Sequence, residues 1–185
     1  MKRKRKIVIL AHCILNVNSK VEGLATYSGA LKSLVTDYIN KDYGIIQLPC
    51  PETTFCGLQR WGMSRNQYDH PNYRRHCREI LIPVVDQIRL YKKSGYAIEE
   101  IVCVNGSPSC GLDFSFEGFT GGLVNSEAAN PDVVRKVQKN GVFIDELAKL
   151  LKEQGLKVIY KAIDEKKQLN KFSLNINGRR HTWCC

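Results

Sequence analysis

Three cysteines in this 185-residue chain each stand just past a short apolar run of strand character. Cys13 closes IVILAHC, Cys50 closes GIIQLPC and Cys110 follows IVCVNGSPS. In an open α/β sheet, parallel strands deliver their C-terminal ends to one edge, and ligands bind in the crevice there. Three thiols far apart in sequence would then meet. Three thiolates gathered in one place can hold a metal or an iron–sulfur cluster and leave one position open for chemistry.

The neighbours of each thiol add to this picture. Cys110 lies in Ser107-Pro108-Ser109-Cys110-Gly111. Gly106 and Gly111 allow a tight bend after the strand, and Pro108 stiffens it. The two hydroxyls and free N–H groups are expected to favour the thiolate. Ser107 and Ser109 could orient a substrate or hydrogen-bond the sulfurs of a cluster. Cys50 sits between Pro49 and Pro51, which fix its direction, and Glu52 follows as a candidate general acid or base. His12, beside Cys13, could donate a proton to a departing sulfur or simply be held by backbone at the strand end.

The other thiols read differently. Cys77 falls on a helix and Cys103 inside a strand, and both read as small buried hydrophobes. Cys56 is either a fourth ligand or a bystander. Cys184 and Cys185 end the sequence and read as an exposed tail open to oxidation. The sequence contains no Cys-x-x-Cys pair, which argues against a zinc ribbon or a thioredoxin-type site. Three alternatives to an iron–sulfur enzyme stay open. One is a cluster or sulfur carrier or sensor without turnover. Another is a structural zinc site on Cys13, Cys50, Cys110 and Cys56. The last is a hydrolase with Cys110 as nucleophile and His12 as base.

Positioning such residues requires alternating strands and helices. Strand character covers Lys6 to Ala11, Tyr43 to Leu48, Ile98 to Val104 and Val158 to Tyr160. Helical periodicity covers Tyr27 to Ile39, Tyr73 to Lys93 and Val133 to Glu153, the last with Asn130 as N-cap and Pro131 in the first turn. Pro83 is expected to kink the second helix or mark its first turn, and Gly95 to end it. Glu52 to Tyr73 shows few regular signals and reads as a long loop. Its Arg60, Trp61, Tyr68, His70 and Tyr73 would either stack on a heterocycle or pack as a lid. Asn105 to Asn130 reads as a second loop, and Leu174 to Gly178 as a hairpin turn. The alternation predicts an α/β fold: an open, mainly parallel sheet, Rossmann-like in three layers, with helices on both faces and the site at the C-terminal strand ends.

Composition agrees with one globular domain over 1–185, with a basic lead-in at 1–5 and a less certain tail from about 164. Hydrophobic residues make up 43% and charged residues 25%. No apolar run reaches the ~20 residues of a membrane span, and IVILA is too short for a secretory signal. The chain therefore reads as cytoplasmic, where eight cysteines favour metal binding or catalysis over disulfides. The net charge of +10 is concentrated in Lys2 to Lys6 and around Lys166, Lys167, Lys171, Arg179 and Arg180. It leaves an RNA partner open, although no nucleic-acid motif accompanies it.

In their order and placing, Cys13-Ile14-Leu15-Asn16-Val17-Asn18, Cys50-Pro51-Glu52 and Ser107-Pro108-Ser109-Cys110-Gly111 resemble the DUF523 family, which includes thiouracil desulfidases. The resemblance spans roughly residues 6 to 125. It implies a [4Fe–4S] cluster held through three irons by Cys13, Cys50 and Cys110, with the fourth iron free to take sulfur from a thiolated base or nucleoside by hydrolytic conversion of C=S to C=O. The lysine-rich termini leave thiolated RNA open as the substrate as well. The chain also departs from the pattern. Ser19 stands where the family has a second cysteine, Lys20-Val21-Glu22 replaces Arg-Tyr-Asp, and Phe55-Cys56-Gly57-Leu58 replaces Gly-Gly-Leu-Pro. These differences mark a divergent branch.

Overall fold

The computed structural model describes residues 2–118 and 134–165. Four strands form one parallel sheet in the order β2-β1-β3-β6, with β1 Lys6–Leu10, β2 Gly44–Gln47, β3 Ala97–Val104 and β6 Ile159–Ile163. Helix α2 (Lys32–Asn40) joins β1 to β2, α5 (Pro71–Lys93) joins β2 to β3, and α6 (Val142–Glu153) leads into β6. The first crossover steps to one side of β1 and the later two to the other. Right-handed connections then set α2 on one face and α5 with α6 on the opposite face. The strand order reverses at β1, so the crevice of the switch point opens at the C-terminal ends of β1 and β3.

Burial explains why these segments form these elements. The strands β1 and β3 are inner strands, and Val8, Ile9, Leu10, Ile101 and Val102 are fully buried. This is the near-continuous apolar run expected of a strand covered on both faces. Along α5, Tyr73, Cys77, Leu81, Val84, Val85 and Ile88 form one buried stripe, and Val142, Phe143, Leu147, Leu150 and Leu151 do so on α6. Gly95, at φ +77°, ends α5 as expected. Its N–H donates to Lys92 O and that of Tyr96 to Tyr91 O, the paired bonds of a Schellman cap. Pro83 lies inside α5 rather than in its first turn. Its side chain is on the exposed face, where water can satisfy the carbonyl that the proline leaves unpaired.

Several boundaries differ from the sequence expectation. Helix α2 begins at Lys32 rather than Tyr27, because the preceding residues form a loop tied to the segment after β1. Gly29 O accepts from the Val17 N–H, and the Leu31 N–H donates to Ile14 O. The stretch expected to be a loop after Cys50 holds two short helices, α3 (Pro51–Cys56) and α4 (Arg65–Tyr68). The second expected loop contains β4 (Ser115–Glu117). Among the described residues the expected helix does not start before α6: Arg135–Val137 instead form β5 and pair antiparallel with β4. Pairing with β4 outweighed helical periodicity there, and α6 starts at Val142 with Gly141 as N-cap. Asn130, Pro131, the expected hairpin at Leu174 to Gly178 and the terminal Cys184 and Cys185 lie outside the described residues.

The N-terminus of α6 is closed by the loop that carries Cys110. The N–H of Val142 donates to Pro108 O, and those of Phe143 and Ile144 to Ser109 O. This approach requires glycine at 141, since a Cβ there would lie 2.2 Å from the carbonyl carbon and oxygen of Ser109 and 2.7 Å from the Cys110 nitrogen. Gly141→Ala should therefore destabilise the protein by about 1–3 kcal/mol, as overpacking does. Gly62→Ala, with nothing within 4 Å of the added carbon, should be neutral. Urea unfolding of the two variants beside the parent would check both.

Candidate functional site

Each of the three thiols is delivered by a short structure at a strand end. Cys13 lies in α1 (His12–Leu15), which starts two residues after β1. Cys50 is the N-cap of α3 with Pro51 at its first position, the arrangement that proline favours. Its sulfur accepts from the Thr53 N–H at 3.5 Å and lies 3.2 Å from the Thr53 hydroxyl oxygen. Cys110 ends a loop in which the Ser107 hydroxyl accepts from the N–H groups of Cys110 (3.0 Å) and Ser109 (3.3 Å). Gly106 turns this loop at φ +81°. Gly111 serves another purpose, because a Cβ on it would lie 2.6 Å from Phe114 O and 2.7 Å from Ser107 O.

The three arms meet at one cavity of about 530 Å³, lined by Cys13, Cys50 and Cys110 together with His12, Glu52 and Ser107. Ser109 is fully buried behind it and organises Glu52. Its hydroxyl donates to Glu52 Oε1 at 2.6 Å and meets the buried Tyr73 hydroxyl at 2.9 Å. Glu52 Oε2 takes Arg60 Nη2 at 3.2 Å and Nε at 3.3 Å. Arg60 also donates to Ser19 O at 2.6 Å, which ties the Cys50 arm to the segment after Cys13. His12 Nδ1 lies 3.1 Å from Leu48 O, so it carries the proton, and a neutral ring presents Nε2 as an acceptor. Donation to a departing sulfur from Nε2 would require the cationic ring.

Burial works against charge on Cys13 and Cys110. It pushes Cys13 up to about 12, with the Glu165 charge as the next contribution. Cys110 is driven well above its ordinary value, first by burial and then by the charges of Cys13, Cys50 and Glu52. The expectation that the loop around Cys110 favours its thiolate is thus overturned for the bare protein: desolvation outweighs the neighbouring donors. The same finding weakens a lone Cys110 nucleophile.

The structure sorts the remaining candidates. Cys77 and Cys103 are fully buried in the core, and Cys56 does not line the cavity. Tyr68 and Tyr73 are core residues at 1% and 0% exposure, so they are not stacking platforms. Trp61 is 81% exposed and lines no part of the cavity. His70 caps α5, accepting from the Tyr73 N–H. Of this group only Arg60 reaches the cavity. The basic lead-in sits at the N-terminal end of β1, the opposite edge of the sheet, where Arg3 donates to the Tyr96 hydroxyl. Lys166, Lys167, Lys171, Arg179 and Arg180 lie outside the described residues.

Sequence reasoning missed one wall. Glu165, just past β6, pairs with Lys20 and accepts from the Tyr27 hydroxyl, which also lies 2.8 Å from Cys13 O. The strand-end rule applied to the fourth strand would have pointed to Glu165. No described helix is long and apolar enough to cross a membrane.

Among the described residues, no three His, Cys, Asp or Glu side chains are grouped so that they could hold a metal ion. A single zinc ion needs its donors about 2.0–2.3 Å from one centre. A cluster presents several irons, each able to take one thiolate, so its thiols need to share a cavity rather than a point. Cys13, Cys50 and Cys110 meet that looser requirement, and the zinc alternative lacks its donor set among the described residues.

No protein-family model matches the chain, so the DUF523 resemblance stands on its cysteine motifs. An uncharacterized protein of Methanocaldococcus jannaschii, MJ0003, is 39% identical over 112 residues, which are 60% of this chain and 70% of that protein. A solved structure described as the [4Fe–4S]-dependent thiouracil desulfidase TudS is similar at 16% identity and a TM-score of 0.44, covering 94% of this chain and 99% of its own.

The buried thiols make the metal-free protein sensitive to alkali. Cys13, Cys77 and Cys103 are all pushed by burial to about 12. Above the unfolded thiol value of about 8.5 the unfolded chain binds fewer protons than the native state, so stability falls as pH rises. From neutral pH upward, the urea midpoint of reduced, metal-free protein should hold to about pH 8.5 and drop between there and pH 12. Cys103→Ala should make the drop shallower.

Proposed function

The chain belongs to the family of that archaeal protein, and we propose that its cavity holds a [4Fe–4S] cluster on Cys13, Cys50 and Cys110 and removes sulfur from a thiolated heterocycle. One observation carries the reading: three thiols from three separate strand ends line a single cavity. The order of the cysteine motifs supports it. When bound, the cluster would supply an open iron site, a soft Lewis acid for the sulfur of a C=S group and an acceptor for the sulfide that leaves.

The chain's own residues supply the rest. The overall change exchanges thiocarbonyl for carbonyl: water oxygen enters, sulfur departs as sulfide, and no net oxidation occurs. Glu52 is the base that takes a proton from that water. Its two oxygens are held from opposite sides by Arg60 and Ser109, so the carboxylate is fixed in direction before substrate arrives. Ser107 braces the Cys110 amide, and Ser109 positions Glu52 from behind. His12 contributes a wall and an acceptor nitrogen. Val21, Leu24 and Phe116 give the cavity an apolar side suited to a flat ring. The substrate class is a thiolated nucleobase or nucleoside.

Protein purified anaerobically should contain about four irons and four acid-labile sulfides per chain. Cys110→Ser should lose most of both. An unchanged cluster in that variant would refute the ligand assignment. With thiolated pyrimidines and nucleosides as substrates, Glu52→Gln should keep its iron and lose about 10²–10⁴-fold in turnover. Full iron with no turnover of any such compound would favour a carrier or sensor instead.

A further inference from the structure

Both donors of Thr53 face the Cys50 sulfur, the backbone N–H at 3.5 Å and the hydroxyl at 3.2 Å. The hydroxyl has one proton and two acceptors within reach, this sulfur and Ser19 O at 3.1 Å. Ser19 O already receives Arg60 Nη2 at 2.6 Å, a shorter and charge-assisted bond. Arg60 Nη1 in turn approaches the Thr53 oxygen at 3.5 Å, occupying its acceptor side. The proton is therefore free to follow the better acceptor. A thiol sulfur accepts weakly, whereas a thiolate ligand is an ionised acceptor and draws a stronger bond.

We propose that Thr53 is a positioning residue for the Cys50 ligand, its hydroxyl turning from Ser19 O to the sulfur when the cluster is in place. This inference rests on the cluster reading above. The bond steadies the ligand and withdraws negative charge from it. Hydrogen bonds to ligating sulfurs help set the reduction potential of such clusters. Charge withdrawal favours the reduced, more negative state, so losing the bond shifts the potential downward. Among the described residues, neither the Cys13 nor the Cys110 sulfur receives a comparable hydroxyl. The iron on Cys50 would then differ electronically from the other two ligated irons.

The test compares the full chain reconstituted anaerobically with iron and sulfide as wild type, Thr53→Val and Thr53→Ser. It reads iron per chain, the midpoint potential by a redox titration followed by electron paramagnetic resonance, and the melting temperature of the metal-free protein. The expected result is equal iron in all three, a more negative potential in Thr53→Val, and the wild-type potential restored in Thr53→Ser. Iron lost by the valine variant but kept by the serine variant also supports the hydroxyl's role. Wild-type potential in Thr53→Val overturns the proposal. A lower melting temperature of that variant with no change in potential does so too, by assigning the proton to Ser19 O. Equal loss of iron from both variants overturns it as well. A wild type that takes up no iron removes the cluster reading itself, so the two failures are distinguishable.

Discussion

An ionised thiol away from water needs a positive charge beside it, and for Cys13 burial outweighs what nearby Lys20 offers. The two cations described on its lining are Lys20 and Arg60, and each is held by a carboxylate, Glu165 and Glu52. The charge of Cys13 meanwhile raises the cost of ionising Cys110. In this setting the compensating charge for thiolates must arrive with whatever they bind. Iron in a sulfide core carries such charge, and the three thiols line one cavity of about 530 Å³. A cysteine nucleophile would need the opposite arrangement, a depressed thiol with a free base beside it. Here the Cys110 thiol is driven up instead, by burial first.

The strand ends bring the arms together, but cross-links between arms fix them. Arg60 reaches from the loop after α3 to the carbonyl of Ser19, near Cys13. Ser109, one residue before Cys110, holds Glu52, two residues after Cys50. The Cys110 loop is in turn sealed to the first turn of α6 by three backbone bonds that only a glycine at 141 permits. Each link joins residues distant in sequence.

That distance decides what the sequence could and could not tell. The inner strands and α5 were legible because burial on two faces, or along one stripe, leaves a periodic apolar pattern. The three thiols were legible because a parallel sheet turns "just past a strand" into a place in space. The loop between Cys50 and α5 was not, because α3 and α4 are single-turn helices too short for a periodicity. The start of α6 was misplaced because Val137 satisfies a helical stripe equally well when it pairs with Ser115 in β4. The roles of Ser109 and Tyr73 were also hidden. A hydroxyl in a motif can face the cavity or stand behind it, and only packing decides. The tyrosine left no signal beyond being aromatic.

The weakest element of the site carries its most demanding work. A six-residue helix is marginal by itself, since nucleation costs more than so few bonds return. Yet α3 bears a candidate ligand in Cys50, the candidate base in Glu52 and the sulfur's donor in Thr53. What holds it is external: Arg60 and Ser109 on Glu52, Ser19 O on Thr53 and Arg60, and the Thr54 hydroxyl on His76 Nε2 at 2.8 Å. Disturbing the Cys13 or Cys110 arm would therefore loosen Glu52 along with Cys50. Ligand holding and base placement therefore share a scaffold, since Cys50 and Glu52 are both carried by α3 and steadied by bonds from the other two arms.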